Sequence, residues 1–461
     1  MSKEKIAAIV LAAGKGTRMK SSRPKVLHRV CGQSLLERTL RAITKAGITK
    51  VQLVVGFGKE QIEQEISKLN FDKLELTFCL QQRQLGTGDA AKAGLLGLSQ
   101  NYNQILILPG DVPLINSEHL SQALNNSKQK LTLVTCKLDD PTGYGRVVRD
   151  SRASVQKVVE QKDSTAEELK IKEVNTSIYL VERSFLEEAL KKVKPQNAQK
   201  EYYLTDIVSI ANQQGVVCDA ICVSPEHYVM GANSQSELRK LEMIRREELI
   251  NLFMDQGVEF EDSGSVYLDE NVKIGAECFI GANTWLKGAV VLGPKVHLQG
   301  NCYLRDCEIG EGSELKFGTI VEESKVGKNC VLGPYARIRP ESVLEDDVKI
   351  GNFVETKKAK FAKGSKANHL SYIGDASVGK GANIGAGTIT CNYDGTDKHQ
   401  TTIGEGAFIG SNSALVAPVV IGDGAYVGAG SVITSNVPSK SLAVARSRQK
   451  VIEGWAIKNK E

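Results

Sequence analysis

The chain has 461 residues, enough for two or three domains, and its 41% hydrophobic and 25% charged residues exclude a disordered polymer. Its 59 Lys+Arg against 54 Asp+Glu leave a net charge of +5 with no run of five like charges, so nucleic-acid binding by electrostatics alone is not expected. The longest apolar stretch, Ile6 to Ala13, is too short to span a membrane and leads into a charged loop, so neither membrane insertion nor a signal peptide is expected. The 10 cysteines contain no CxxC pair, and reduced thiols in a cytoplasmic protein are expected.

In the first half, the apolar runs IAAIVLA, VQLVVG and QILILPGD alternate with helical stretches, the βαβ grammar of a Rossmann-like parallel sheet covered by helices. After the first run comes LAAGKGTRMKSSRPK, residues 11–25. Gly14 and Gly16 let backbone N–H groups approach an anion, and Lys15, Arg18 and Lys25 add positive charge. The loop is neither a Walker A motif nor a complete GxGxxG, and a glycine-rich turn alone reads equally well as structure. The run ILILPGD places Asp111 at the carboxyl edge of the sheet, where such folds bind ligands. Taken alone, Asp111 is a turn residue.

Residues 234–254 contain strong helix formers and neither Gly nor Pro, with Leu238, Leu241, Leu249 and Leu252 near one stripe. They read as a helical linker whose other face is a solvated charge run. Beyond it the pattern changes. Of the 43 glycines, 26 lie between Gly264 and Gly430, and Leu268, Ile274, Ile280, Leu286, Leu292, Leu298 and Leu304 recur every six residues. A small or β-branched residue precedes each by two, and the phase resumes at Val326–Ile350 and Ile403–Ile433. Such a hexad predicts a solenoid whose short strands turn one aliphatic side chain inward. Cys278, Cys302 and Cys330 occupy the small inward slot, so they read as core residues rather than ligands.

The string LAAGKGTRM followed by PK resembles the nucleotide-sugar pyrophosphorylase family, which joins a nucleoside triphosphate to a sugar 1-phosphate. That resemblance implies a nucleotide site at Leu11, Ala12, Gly14, Gln81, Gln84, Gly86 and Thr87, with QQRQLGTGDA reading the uracil. It implies sugar-phosphate positions at Gly145, Glu160 and Asn175, and Mg²⁺ ligands in Asp111 and Asn233. NAQKEYYLTD, residues 197–206, is also similar to the family. Pro109 departs from it, standing where relatives often carry an aromatic. The phosphate of the sugar is already anionic, so the reaction needs no general base. Positioning and charge neutralisation by Mg²⁺, Arg18 and Lys25 suffice.

In residues 333–395 the hexads loosen, and His369 stands near Lys366, Tyr372 and an inserted loop. An isolated histidine is usually structural, but the nearby Arg339, Lys357 and Lys366 point to an anion site. The strings KANHLSYIGDA and ITCNYDG resemble hexapeptide-repeat acyltransferases. The whole order resembles the bacterial bifunctional family that fuses an N-acetylglucosamine-1-phosphate uridyltransferase to a glucosamine-1-phosphate acetyltransferase. Asn368 departs from it, where many relatives have Gly. The resemblance implies a nucleotidyltransferase domain over 1–233, the linker, and a left-handed parallel β-helix over 255–461. It implies His369 as general base and Arg339, Lys357, Tyr372 and Asn383 on the sugar phosphate. Ala386, Asn392, Tyr393, Ser411, Ala429 and Arg446 would hold acetyl-CoA. Also implied are UTP as nucleotide, a cytoplasmic homotrimer with acetyl sites between subunits, a tail with Trp455 packing across a neighbour, and a product used in peptidoglycan and lipopolysaccharide synthesis. Two rival readings stand beside this one. One is a monofunctional nucleotidyltransferase whose hexapeptide domain only oligomerises. The other is a non-enzymatic regulator with the same domain pair. His369 and the NYDG insertion weigh against the first, and the phosphate loop with Asp111 and Asn233 against the second.

Overall fold

The computed structural model describes residues 5–71, 73–126 and 129–456. It divides into two compact units, Met1–Arg245 and Arg246–Glu461.

The first unit runs β1 (Ile6–Ala12), α1 (Leu35–Lys45), β2 (Lys50–Val55), α2 (Lys59–Ile66), β3 (Glu75–Leu80), α3 (Thr87–Leu96), β4 (Gln104–Pro109), α4 (Ser117–Asn126), β5 (Leu131–Lys137), β6 (Arg146–Arg149), β7 (Val155–Val159), β8 (Glu173–Glu182), α5 (Arg183–Lys192), α6 (Asp206–Gln213) and β9 (Cys218–Cys222), and the helix α7 (Gln235–Asp255) begins in it and ends in the second. The main sheet has the order β9-β5-β8-β4-β1-β2-β3, with β6 on β8 and β7 on β6. Residues on both faces of β1, β2 and β4 are buried, because helices cover both sides, and their sequences are therefore apolar runs rather than alternations. At α1, the Ser34 hydroxyl accepts the Glu37 N–H at 3.1 Å and fixes the helix start.

The sheet is mixed where the sequence grammar predicts a parallel one, since β8 runs antiparallel between β4 and β5. The chain leaves the carboxyl end of β5, forms the β6–β7 hairpin there and re-enters the sheet from that same end, without a crossover. From β1 the chain builds outward through β2 and β3, then returns by α3 to β4 on the other side of β1. The strand order thus reverses between the carboxyl ends of β1 and β4, which opens a crevice there.

The second unit is a left-handed parallel β-helix made of three sheets of 11, 10 and 9 short strands. Leu268 stacks on Leu286 and Leu286 on Leu304, one coil apart, and all are buried. Each such burial stabilises the solenoid by about 1.5–3 kcal/mol. The loosened hexads do not break the coil. Ile350 pairs with Ala367, a coil shorter by one residue, and Thr390 pairs with Leu415, 25 residues on, where Leu268 pairs with Leu286, 18 on. Cys278, Cys302 and Cys330 are buried in the inward slot. Burial pushes the Cys302 and Cys330 thiols up to about 11.

The stripe predicted for residues 234–254 is partly wrong. Leu241 and Leu249 are buried, but Leu252 is exposed, and Ile250 and Phe253 are buried near it. The charged residues are not merely solvated either. Glu242 accepts the Cys31 N–H at 2.8 Å within the first unit, and within the second the Arg246 guanidinium lies 4.4 Å from the centre of the Tyr267 ring. Periodicity misses this because the two halves of the helix pack in different units. Trp455 is exposed, and residues 457–461 of the basic tail lie outside the described residues.

Candidate active sites

In the first unit the site grows from the carboxyl end of β1. Leu11 accepts the Gly110 N–H at 2.9 Å, and Ala12 is buried behind it. The loop then turns through Gly16, whose φ of +60 belongs to the left-handed region and whose Cβ, if present, would lie 2.7 Å from Lys25 Cβ. Only glycine therefore lets Lys25 pass. Gly14, by contrast, faces open space, and Arg18 is exposed on the turn Thr17–Met19.

Lys25 ties the loop to the metal-ligand candidates. Its Nζ lies 2.6 Å from Asn233 Oδ1 and forms an ion pair with Asp111, both partners being largely shielded. Asp111 follows β4, and Asn233 precedes α7, where its N–H is held by Glu237 at 2.6 Å. Two residues far apart in sequence thus turn hard oxygen donors toward one positive charge. A Mg²⁺ ion fits that donor set, with further oxygens from phosphates and water.

The nucleotide candidates follow around the crevice. Gln84 donates to the Ala13 carbonyl at 2.9 Å, and buried Gln81 donates to the Gly86 carbonyl at 3.1 Å and to Asp89 at 2.8 Å. Both amide nitrogens are thus engaged within the protein. Thr87 opens α3, and its hydroxyl accepts the Leu204 N–H at 3.0 Å, while the Gly88 N–H meets the Tyr202 carbonyl. The family-like segment 197–206 is therefore the wall on which the loop 81–87 rests, a link with no local sequence signal.

Glu160, Gly145 and Asn175 complete the wall. A Cβ on Gly145 would approach Glu160 Oε1 to 3.4 Å, and the Gly145 carbonyl accepts the Asn175 N–H at 2.9 Å. Asn175 donates to the Tyr179 hydroxyl at 2.7 Å, and its own buried Oδ1 has no partner among the described residues, as suits an acceptor for a sugar hydroxyl. Burial raises the Glu160 carboxyl above its ordinary range, against a weak hydrogen bond from Thr205, with Asp163, Asp206 and Glu201 adding to the rise.

In the second unit, His369 ends a strand of the 11-stranded sheet, and Tyr372 begins a strand of the 10-stranded sheet around the next corner. His369 is in register with Asn352 one coil below, and its Nδ1 lies 2.8 Å from Asn352 Oδ1. An amide oxygen only accepts, so in the neutral ring Nδ1 carries the hydrogen and Nε2 the lone pair. The preceding Gly351 allows this approach, since its Cβ would lie 1.9 Å from the Asn368 carbonyl oxygen. Nothing in the hexad pattern marks Asn352.

The acetyl-CoA candidates continue the same corner. The Gly387 N–H reaches the His369 carbonyl, the Asn412 N–H that of Ala386, the Gly430 N–H that of Ser411, and Arg446 Nη1 donates to Ala429 at 2.7 Å. His369, Ala386, Ser411, Ala429 and Arg446 thus rise in one column. Asn392 donates to Asp375 at the base of the inserted loop, and Tyr393 is exposed.

Among the sugar-phosphate candidates, Lys357 and Tyr372 lie in the 10-stranded sheet, and Arg339 directly follows one of its strands, its N–H meeting the Thr356 carbonyl at 2.9 Å. Arg339 is paired with Glu355 at 2.6 Å. The Lys357 ammonium presses on Lys398 and holds it below the ordinary lysine range, so two cations crowd one spot suited to an anion. Asn383 stands apart, on the 11-stranded sheet beside Lys366.

A nucleotidyl-transfer crevice and an acyl-transfer column in one chain define a two-activity transferase. The Nucleotidyl transferase family matches residues 7–223, the GMPPB C-terminal domain matches 263–362, and the six-repeat bacterial transferase hexapeptide matches 400–435. Relatives called "Bifunctional protein GlmU" are similar over nearly the full length. That of Anaeromyxobacter sp. is 45% identical over 99% of this chain and 93% of its own. Those of Methylococcus capsulatus, 43% over 98% and 97%, and Marinobacter nauticus, 42% over 97% and 97%, follow the same pattern. The chain belongs to the bifunctional GlmU family. Among the described residues, no helix is long and apolar enough to cross a membrane.

Proposed function

We propose that the chain makes UDP-N-acetylglucosamine in two steps, acetylating glucosamine 1-phosphate in the β-helix and uridylylating the product in the first unit. In the β-helix, the sugar amine attacks the thioester carbonyl of acetyl-CoA. His369 Nε2 accepts the amine proton, the carbon–sulfur bond breaks, and the proton returns to the departing thiolate. Asn352 keeps the imidazole in the tautomer that leaves Nε2 basic. Lys357, Lys398 and Arg339 bind the sugar phosphate, with Tyr372 and Asn383 on the sugar. Ala386, Asn392, Tyr393, Ser411, Ala429 and Arg446 hold acetyl-CoA along the corner column.

In the first unit, a sugar-phosphate oxygen attacks the α-phosphorus of UTP and pyrophosphate leaves. Asp111 and Asn233 would hold Mg²⁺, which supplies charge neutralisation for the leaving group. Lys25 shares their oxygens and, with Arg18, offers positive charge to the nucleotide phosphates. Gln81, Gln84 and Gly86 read the uracil, and Gly145, Glu160 and Asn175 hold the sugar. The enzyme works in the cytoplasm as a homotrimer assembled through its β-helix, on small-molecule substrates.

The observation that carries the acetyl-transfer half is the His369–Asn352 pair at the foot of the column, which an oligomerisation scaffold has no use for. Thiol release from acetyl-CoA, dependent on glucosamine 1-phosphate and lost in His369→Ala, tests it. Undiminished release in that variant would remove His369 as the base.

A further inference from the structure

The long coil after Ile384 carries seven residues more than the 18-residue coils, and the excess is taken up by a hairpin at 392–399 closed by the Tyr393–Lys398 bridge. Its hydrogen bonds converge on one carboxylate. Asp394 Oδ1 accepts the N–H groups of Thr396 at 2.8 Å and Asp397 at 2.7 Å, and Oδ2 lies 2.7 Å from His399 Nε2. The His399 N–H in turn reaches the Asn392 carbonyl at 2.8 Å, and the Tyr393 hydroxyl donates to the Gly395 carbonyl at 2.6 Å. His399 therefore joins both ends of the hairpin, by its backbone at Asn392 and by its ring at Asp394. The ring is also the largest influence holding the Asp394 carboxyl well below its ordinary range, followed by the two backbone N–H groups.

We infer that His399 is a positioning residue for the acyl donor: by closing on Asp394 it holds the hairpin in the shape that presents Asn392 and Tyr393 beside the corner column. The inference rests on Asn392 and Tyr393 contacting acetyl-CoA, as proposed above. His399 does not touch the reacting atoms. Its loss should weaken donor binding and leave the chemical step intact, because an untied hairpin must be ordered again each time the donor binds.

The test uses the full chain and the variants His399→Ala and His399→Gln, whose amide can still donate to Asp394. Acetyl-transfer kinetics are read together with hydrogen exchange of the Thr396 and Asp397 amides. For His399→Ala we expect KM for acetyl-CoA to rise about fivefold with kcat within about twofold, the scale of a part-exposed charged hydrogen bond. Both amides should exchange faster, and His399→Gln should recover most of the loss in both readouts. Unchanged KM in His399→Ala, a fall in kcat alone, or no recovery in His399→Gln would overturn the inference. A wild-type chain that transfers no acetyl group would overturn the underlying reading, and hydrogen exchange distinguishes that case from a hairpin whose clasp never forms.

Discussion

Asn352 and His369 are 17 positions apart in sequence, one coil of the β-helix, and the Asn352 amide oxygen stands 2.8 Å from the imidazole Nδ1. This contact decides which ring nitrogen is free to act as base. Replacing Asn352 by Ala should lower kcat for acetyl transfer by about 10²-fold while the fold persists, because the ring loses its preferred tautomer and orientation. Asn352→Asp should instead retain activity but move the acid limb of the kcat/KM profile to higher pH, since a carboxylate beside the ring favours imidazolium. An unmoved limb in Asn352→Asp would argue against the pairing.

The two sites lie in separate units, so they should fail separately. Asp111→Asn should abolish uridylyl transfer and leave acetyl transfer within about twofold of wild type, and His369→Ala should do the reverse. Separate assays with N-acetylglucosamine 1-phosphate and UTP, or glucosamine 1-phosphate and acetyl-CoA, read the two losses. Loss of both activities in either folded variant would contradict the separation.

Glu160 gives a pH signature. Burial raises its folded-state carboxyl above the unfolded value, so its stabilising contribution is fully present below the ordinary carboxylate range and is lost as pH rises through the raised value. Glu160→Gln should therefore raise the melting temperature of the first unit at neutral pH, and the gain should fade toward about pH 4. The same variant should bind the sugar phosphate less well. Calorimetry at both pH values checks the sign, and a lower melting temperature at neutral pH would contradict it.

Gly351 is a steric prediction. A methyl group there would meet the Asn368 carbonyl at 1.9 Å, so Gly351→Ala must push two coils apart. Destabilisation of the β-helix by about 3 kcal/mol or more and loss of the Asn352–His369 contact are expected. Denaturant unfolding of the variant measures it.

The β-helix was legible because its cause is periodic: each inward aliphatic residue, from Leu268 to Leu304, repeats at the spacing of one face of the coil. The Rossmann-like layer was legible from apolar runs, which report burial on both faces but not strand direction, and so the antiparallel β8 was missed. Asp111 and Asn233 were paired as Mg²⁺ ligands through resemblance and Lys25 was read as a charge of the loop, while the approach of Lys25 to both is a property of the fold. Asn352 and His399 left no signal, because a polar residue one coil away, or at the far end of an inserted hairpin, has no fixed sequence offset from the group it orients. The stripe of residues 234–254 failed at Leu252 for a related reason, a helix serving two units having no single buried face.

The most direct test of the two-step account is mass spectrometry of the purified chain supplied with glucosamine 1-phosphate, acetyl-CoA, UTP and Mg²⁺, with each component omitted in turn. The account predicts UDP-N-acetylglucosamine only in the complete mixture, and N-acetylglucosamine 1-phosphate when UTP alone is withheld. Uridylylation of pre-acetylated sugar phosphate without any acetyl transfer would contradict it and reduce the β-helix to a scaffold.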